Sequence, residues 1–443
     1  MPIRPPFPPG LSVPSHRLSR LARFGGLATG VAGEVLRGGA RQLAEGRRPR
    51  LGDLLLTPAN ARRVTEQLAQ LRGAAMKMGQ LLSMDAGDLL PPELADILAR
   101  LRADAHPMPE GQLRAVLDAE WGEGWQSRFI DFRFRPVAAA SIGQVHRAVL
   151  LDGRELAVKV QYPGIARSID SDVDNVATLL RLARLLPGDL DLAPLLREAK
   201  RQLHEEADYE REGRCLAQFG ARLADDPRFR VPDLHSELST GCVLAMSFER
   251  GEAIETVEDA PQALRDETAA RLIDLALREL FEFNLMQTDP NPGNYRWDRS
   301  DERIVLLDFG ATRRFAPATV EAARDVAAAA LRGSGEDATD AIGRLAAADG
   351  RLSAANLDAA LRIFALVSAP LRAGGVYDFG DKRLANDLRN LGLELAETRV
   401  LPQAPPPDTL FLQRKFGGLF LLVSRWNAKV DVRSLLERHL DRQ

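Results

Sequence analysis

Apolar side chains at Val64, Leu68, Leu71, Ala75, Met78 and Leu82 step by fours and threes, the stripe of an amphipathic helix. Pro91 and Pro92 open another such segment, carried by Leu94, Ile97, Leu98 and Leu101. Residues 16 to about 131 therefore read as helical, behind a Pro-rich, disordered leader over 1–15. From 132 to 250 the pattern is mixed. The segments 129–138 and 147–163 read as strands, and Asp152-Gly153 between the halves of the second predicts a two-residue hairpin turn. A Leu-, Arg- and Glu-rich stretch over 170–219 predicts helix, and 242–248 a strand leading into a linker at Gly251. Residues 251–443 read as mostly helical, interrupted at 287–294 (QTDPNPGN) and 304–312 (IVLLDFGAT). The pattern as a whole is that of an α+β protein.

Composition narrows the function classes. Of 443 residues, 45% are hydrophobic and 27% charged, an ordinary globular balance. The net charge of -3 argues against a nucleic-acid binder acting through global basicity. Cys215 and Cys242 offer neither a metal spacing nor a disulfide framework, and the six histidines are scattered. A reducing, cytoplasmic compartment fits. No uncharged apolar run reaches the ~18–20 residues of a membrane span. The nearest, 24–33 (FGGLATGVAG) and 416–424 (FGGLFLLVS), are short and Gly-containing, so a packing helix or a peripheral membrane contact is the expectation.

The two interruptions carry the chemistry. Asp308-Phe309-Gly310 ends the apolar strand 304–307, a common way to present a carboxylate to a metal ion. Nineteen residues earlier stands Asp289, with Asn294 five residues beyond it. That is the spacing of a kinase catalytic loop. Phosphoryl transfer needs a carboxylate beside the attacking oxygen and oxygen donors on Mg2+. Asp289 takes the first role, Asn294 and Asp308 the second, and Pro290 and Pro292 stiffen the loop.

Lys159 ends an apolar strand as the phosphate-neutralising lysine of kinases does. Fourteen residues before it, Val145 closes Ala138-x-Ala140-Ser141-x-Gly143-x-Val145, a glycine-rich-loop pattern with alanine in place of two glycines. A Cβ there keeps the backbone from approaching phosphate as closely, so altered nucleotide handling is expected. An acidic partner for Lys159 is sought in the helical segment 195–213: Glu206 and Asp208 are the first candidates, Glu198 and Glu205 the competitors. Met246-Ser247-Phe248 takes the place of a hinge whose backbone meets the adenine edge. Lys77 and Gln80 share one helix face.

In order, Lys77-x-Gly79-Gln80, the alanine-rich loop, Ala157-Val158-Lys159-Val160-Gln161-Tyr162-Pro163-Gly164, Glu206-x-Asp208, Asp289-x4-Asn294 and Asp308-Phe309-Gly310 resemble the UbiB/AarF atypical kinases. The branch is that of the coenzyme Q kinase-like proteins, and the likeness covers roughly 16–440. It implies a bilobal protein-kinase-like fold with a helical N-terminal extension (16–131), an N-lobe with a helical insertion (132–250) and a mostly helical C-lobe (251–443). It also implies that the extension covers the peptide site, with Lys77 and Gln80 pointing in and Lys77 reaching Glu206 and Asp208. Mg2+ with ATP or ADP would sit on Lys159, Asp289, Asn294 and Asp308. The activity implied is ATP hydrolysis or phosphorylation of a small lipid-like molecule in ubiquinone synthesis, peripheral to the inner membrane. Implied partners are nucleotide, a membrane lipid or quinone precursor and other ubiquinone enzymes; nucleic acid is not among them, and a homodimer is allowed.

Gln287 and Asn291 occupy positions where many members carry histidine. Neither is a metal ligand in the kinase scheme, so nucleotide binding is expected to survive. After Gly310 the chain re-enters helix by about Pro317 with no Ala-Pro-Glu, leaving no room for the segment that docks peptide substrates. The intact Lys159, Asp289, Asn294 and Asp308 favour an ATP-using enzyme. The alanine-for-glycine loop favours the alternative, a nucleotide-sensing scaffold that organises biosynthetic enzymes.

Overall fold

The computed structural model describes residues 107–140, 142–182, 193–333, 335–347, 353–397 and 407–441. Lys77, Gln80, Ser141, the 1–15 leader, the 64–101 helices and the 24–33 stretch lie outside the described residues. The chain divides into two units: Met1–Arg214 with Asp233–Phe248, and Cys215–Pro232 with Glu249–Gln443.

The first unit is built on an antiparallel sheet. Helix α1 (Glu110–Trp121) buries Leu113, Leu117 and Trp121, one residue per turn, on one face. Strands β1 (Phe129–Phe132), β2 (Ala138–Ala139), β3 (Gly143–Leu150), β4 (Glu155–Gln161) and β5 (Val243–Ser247) follow, with β3 and β4 at the centre. The strand expected over 129–138 is therefore in two pieces. Pro136, which has no N–H for a ladder, lies in the break. Three residues, Leu151–Gly153, turn β3 into β4 rather than two: Leu150 N donates to Arg154 O at 2.9 Å. Gly153 supplies the left-handed φ of +87° that a three-residue loop needs at its last position. Trp121, Trp125, Phe129 and Phe132 pack with ring centroids 4.9–6.3 Å apart and fill the core between α1 and the sheet.

The predicted helix over 170–219 is three helices: α2 (Ile165–Leu182), α3 (Ala193–Glu206) and α4 (Tyr209–Leu223). The break at Ala207-Asp208 is a capping event. Asp208 Oδ1 accepts the N–H of Arg211 at 2.8 Å and starts α4 as its N-cap.

The second unit is mostly helical. Its two-residue strand β6 (Glu252–Ala253) is followed by the long, largely buried helix α5 (Gln262–Phe281) and the short strand β7 (Leu285–Gln287). The hairpin β8 (Tyr295–Asp298) and β9 (Arg303–Leu306) follows, then β10 (Thr312–Arg314), which pairs with β7. The remaining helices are α6 (Pro317–Arg332), α7 (Gly335–Ala347), α8 (Ala354–Ala373), α9 (Arg383–Glu397), α10 (Pro407–Arg425) and α11 (Val432–Leu440). Pro317 stands at the first turn of α6, where its missing N–H costs nothing. The FGGLFLLVS stretch lies in α10, with Leu419, Leu422 and Val423 buried. Helix α8, by contrast, has 20 residues and holds an 18-residue window of mean hydropathy 1.3, of which 11% is buried. By length and composition it could cross a membrane, although Asp358 and Arg362 interrupt its apolar run.

Candidate active site

In the first unit β4 is buried along nearly its whole length, and Lys159 lies in it 7% exposed. A charge so placed must be paired. Lys159 Nζ reaches both carboxylate oxygens of Glu212 at 2.9 Å, and the Glu212 side chain is 1% exposed. The ammonium also lies 5.0 Å from the centroid of the Tyr209 ring, within cation–π range. Glu212 sits on α4, one turn beyond Asp208, so the expectation that Glu206 or Asp208 pairs with Lys159 is corrected. Glu206 is the last residue of α3, Asp208 caps α4, and Glu198 and Glu205 both bind Arg201. Reading 195–213 as one continuous helix misplaced these carboxylates; the Asp208-x-x-Arg211 cap was the available signal.

Val145 stands directly opposite Lys159 across the β3–β4 ladder, so their spacing in sequence is a cross-strand pairing. Ala138 pairs with Val145, and Ala140 N donates to Gly143 O at 2.9 Å, which closes the loop as a tight hairpin. None of its described residues takes a positive φ. Gly143 is needed for closeness rather than for torsion. A Cβ there would lie 2.4 Å from Val160 O and 2.9 Å from the Tyr209 hydroxyl.

A buried polar chain runs along β3. Met108 N donates to Gln144 Oε1 at 2.9 Å, the Gln144 amide meets His146 Nε2 at 2.8 Å, and His146 Nδ1 meets Arg133 O at 2.8 Å. Burial pushes His146 down to about 4, and the hydrogen bond to Arg133 offsets only part of this. Met246 is a buried residue of β5, and Phe248 N donates to Glu155 O at 2.9 Å. The Phe248 N–H is thus committed to the sheet rather than presented to an adenine edge.

In the second unit, Asp289, Asn294 and Asp308 are tied together by backbone and amide bonds. Asn294 Nδ2 lies 3.2 Å from both Asp289 O and Asp289 Oδ2. Leu307 N donates to the backbone carbonyl of Asn294 at 2.9 Å, which pairs the Asn294 backbone with the residue that precedes Asp308. Asp308 Oδ1 accepts Gly310 N at 3.0 Å, and Phe309 is buried against Phe219, centroids 4.9 Å apart. Thr288 reaches Ala311 O with its N–H at 3.2 Å and its hydroxyl at 2.7 Å, tying the two interruptions to each other. Asn291 Oδ1 accepts Gly293 N at 3.0 Å. Its function in the loop is to cap the turn Pro292–Asn294, which an imidazole would do differently.

The donor set fits Mg2+. The Asn294 amide nitrogen faces Asp289, so its oxygen remains as a hard donor, and Asp308 supplies a carboxylate. Among the described residues no group of three His, Cys, Asp or Glu could hold a metal ion. An amide oxygen and a carboxylate are hard donors of the kind Mg2+ accepts beside phosphate oxygens and water. Between Gly310 and the start of α6 at Pro317 there are six residues.

Sequence reasoning missed three residues here. Arg414 Nη2 donates to Asp289 Oδ1 at 2.7 Å, Lys415 pairs with Glu279 at 3.0 Å and donates to the Tyr295 hydroxyl at 3.1 Å, and Glu279 is 1% exposed. Burial opposes the Lys415 charge, but the Glu279 carboxylate and Tyr295 outweigh it, so the ammonium holds its proton above the usual lysine range.

Residues 100–340 match the model of the ABC1 atypical kinase-like domain. The chain is 40% identical over 433 residues to the mitochondrial atypical kinase COQ8B of Rattus norvegicus, covering 96% of this chain and 80% of that protein. It is 38% identical over 430 residues to the mitochondrial atypical kinase COQ8 of Saccharomyces cerevisiae, covering 96% and 85%. Among solved structures, Rv3197 of Mycobacterium tuberculosis, determined with erythromycin, is similar at TM-score 0.58 and 25% identity, covering 85% of this chain and 94% of that one.

Proposed function

The chain belongs to the UbiB/AarF family, whose domain is ABC1 atypical kinase-like, and from that premise we propose that it uses Mg–ATP to support ubiquinone (coenzyme Q) biosynthesis. The substrate is ATP itself or a small lipid-like molecule rather than protein, and the work is done peripherally at a membrane. In this reading 16–131 is the extension that closes the peptide site, 132–250 the N-lobe and 251–443 the C-lobe.

One observation carries the reading. The Asn294 amide is hydrogen-bonded to Asp289, and its backbone carbonyl to Leu307, the neighbour of Asp308, which supports reading the three as the oxygen-bearing groups that phosphoryl transfer requires. Asp289 would orient the attacking hydroxyl or water and accept its proton at a carboxylate oxygen. Asn294 and Asp308 would hold Mg2+, which when bound neutralises charge on the phosphate oxygens. Lys159, aimed by Glu212, would neutralise the non-transferred phosphates. The six-residue connection to α6 is too short to dock a peptide, which directs the reaction to small acceptors.

The pathway is tested by deleting the gene in its own organism and measuring quinone. Quinone is expected to fall, to return with the wild-type gene, and to stay low with Asp308→Asn. Unchanged quinone in the deletion strain would overturn the pathway assignment.

A further inference from the structure

Asp289 is gripped by a helix more than a hundred residues further on. One stretch of α10 touches the catalytic loop at both of its ends. Arg414 donates to Asp289 Oδ1 at 2.7 Å, with side-chain exposures of 4% and 20%. Lys415, the next residue, donates to the hydroxyl of Tyr295, which directly follows Asn294. Gly418, one turn beyond Arg414, packs on Pro290: a Cβ there would lie 2.2 and 2.4 Å from the proline Cβ and Cγ. Pro290 is a rigid ring within the loop, so it cannot swing aside. Lys415 in turn is anchored to α5 through Glu279 at 3.0 Å. The strip Arg414, Lys415, Gly418 therefore fixes residues 289, 290 and 295.

We infer that Arg414 is a positioning residue for phosphoryl transfer, and that the Arg414–Lys415–Gly418 strip of α10 sets the geometry of the catalytic loop. The inference rests on the reading of Asp289 as the group beside the attacking oxygen. A carboxylate offers about four lone-pair sites over two oxygens. Arg414 occupies one on Oδ1 and Asn294 one on Oδ2, which fixes the carboxylate plane and leaves the remaining directions for the attacking group. The guanidinium suits this task because its planar fork holds direction as well as charge. Arg414 and Gly418 bear on Asp289, read as the group that acts in the chemical step, and on its neighbour Pro290. Losing Arg414 should therefore slow the chemical step and spare binding.

The test is steady-state phosphate release from Mg–ATP by the full chain, with nucleotide binding measured in parallel. Arg414→Gln is expected to lower kcat about 100-fold, the cost of roughly 1 Å of misplacement, with KM for Mg–ATP and nucleotide affinity unchanged. Arg414→Lys should regain part of the loss, and millimolar aminoguanidine should restore part of it in Arg414→Ala. Gly418→Ala moves the loop without altering any charge and should give the same kcat-only loss, which decides the matter if the Arg414 variants fold poorly. Gly417→Ala, with open space around its Cβ, is the control. Wild-type turnover in Arg414→Gln or in Gly418→Ala would overturn the inference. So would a parallel fall of binding and kcat with no recovery by lysine or aminoguanidine, the mark of a mere structural prop. An inactive wild type would instead overturn the ATP-using reading on which the inference stands, a result distinguishable from an active wild type matched by its variants.

Discussion

The two units solve the same problem, holding a charged group still, on different supports. In the first, Lys159 is buried in the middle of a sheet and its carboxylate comes from Glu212, on a helix restarted by the Asp208 cap. In the second, Asp289 lies on a loop with Asn294 beside it, and its countercharge comes from Arg414, 125 residues away. Both countercharges come from a distant helical residue of the same unit, 53 residues away for the lysine and 125 for the aspartate. The difference is that the lysine is part of a buried strand and the aspartate part of a loop. The second arrangement allows the loop to keep its motif while its geometry is set elsewhere in the sequence.

The largest effect that would break this contrast lies at Glu212. Glu212→Ala removes one partner of a buried ion pair and is expected to cost about 3–5 kcal/mol, read as a fall in the denaturation midpoint together with loss of nucleotide binding. A change no larger than that of a surface residue would mean that Lys159 draws on another carboxylate. Next is pH. The folded state holds His146 at about 4 against 6.5 when unfolded, so its stabilising contribution is complete above pH 6.5 and is lost as pH falls toward 4. The loss should approach about 3 kcal/mol, measured by urea melts across that range. His146→Gln should flatten this slope, and an unchanged slope would remove His146 as its source.

Smaller effects sharpen the comparison. Gly418→Ala, which drives a methyl into Pro290, is expected to cost about 1–3 kcal/mol, whereas Gly417→Ala should be neutral or stabilise by up to ~1 kcal/mol. Equal melting temperatures for the pair would mean that α10 does not press on the loop. The smallest effect is at the cap: Asp208→Ala should cost about 1 kcal/mol and leave nucleotide affinity unaltered, because Asp208 starts α4 and Glu212 holds the lysine. Loss of nucleotide binding in Asp208→Ala would return that acidic residue to the site.

The legible part of the site was the part written in short stretches of chain. The spacing Asp289, Asn294, Asp308 survives into the structure because one turn and one hairpin connect them. Lys159 and Val145 were readable for the same reason, being opposite each other on adjacent strands. Glu212 was missed because acidic residues fill 198–212 and their faces depend on where the helix breaks. Only Asp208, as an N-cap, announces that break, and no proline or glycine reinforces it. Arg414 had no signal, since its contact is made by tertiary packing of an amphipathic helix whose FGGLFLLVS run suggested only burial or membrane. Apolar periodicity likewise gave the helices of the second unit but not the exposure of α8, which depends on what packs against it.

The most direct test of ATP use by this kinase-like chain is phosphate release from Mg–ATP by purified protein, with and without phospholipid vesicles, beside Asp308→Asn. Release that increases with vesicles and disappears in the variant is the expected result. Tight nucleotide binding with no release from the wild type would contradict it and leave a nucleotide-sensing scaffold.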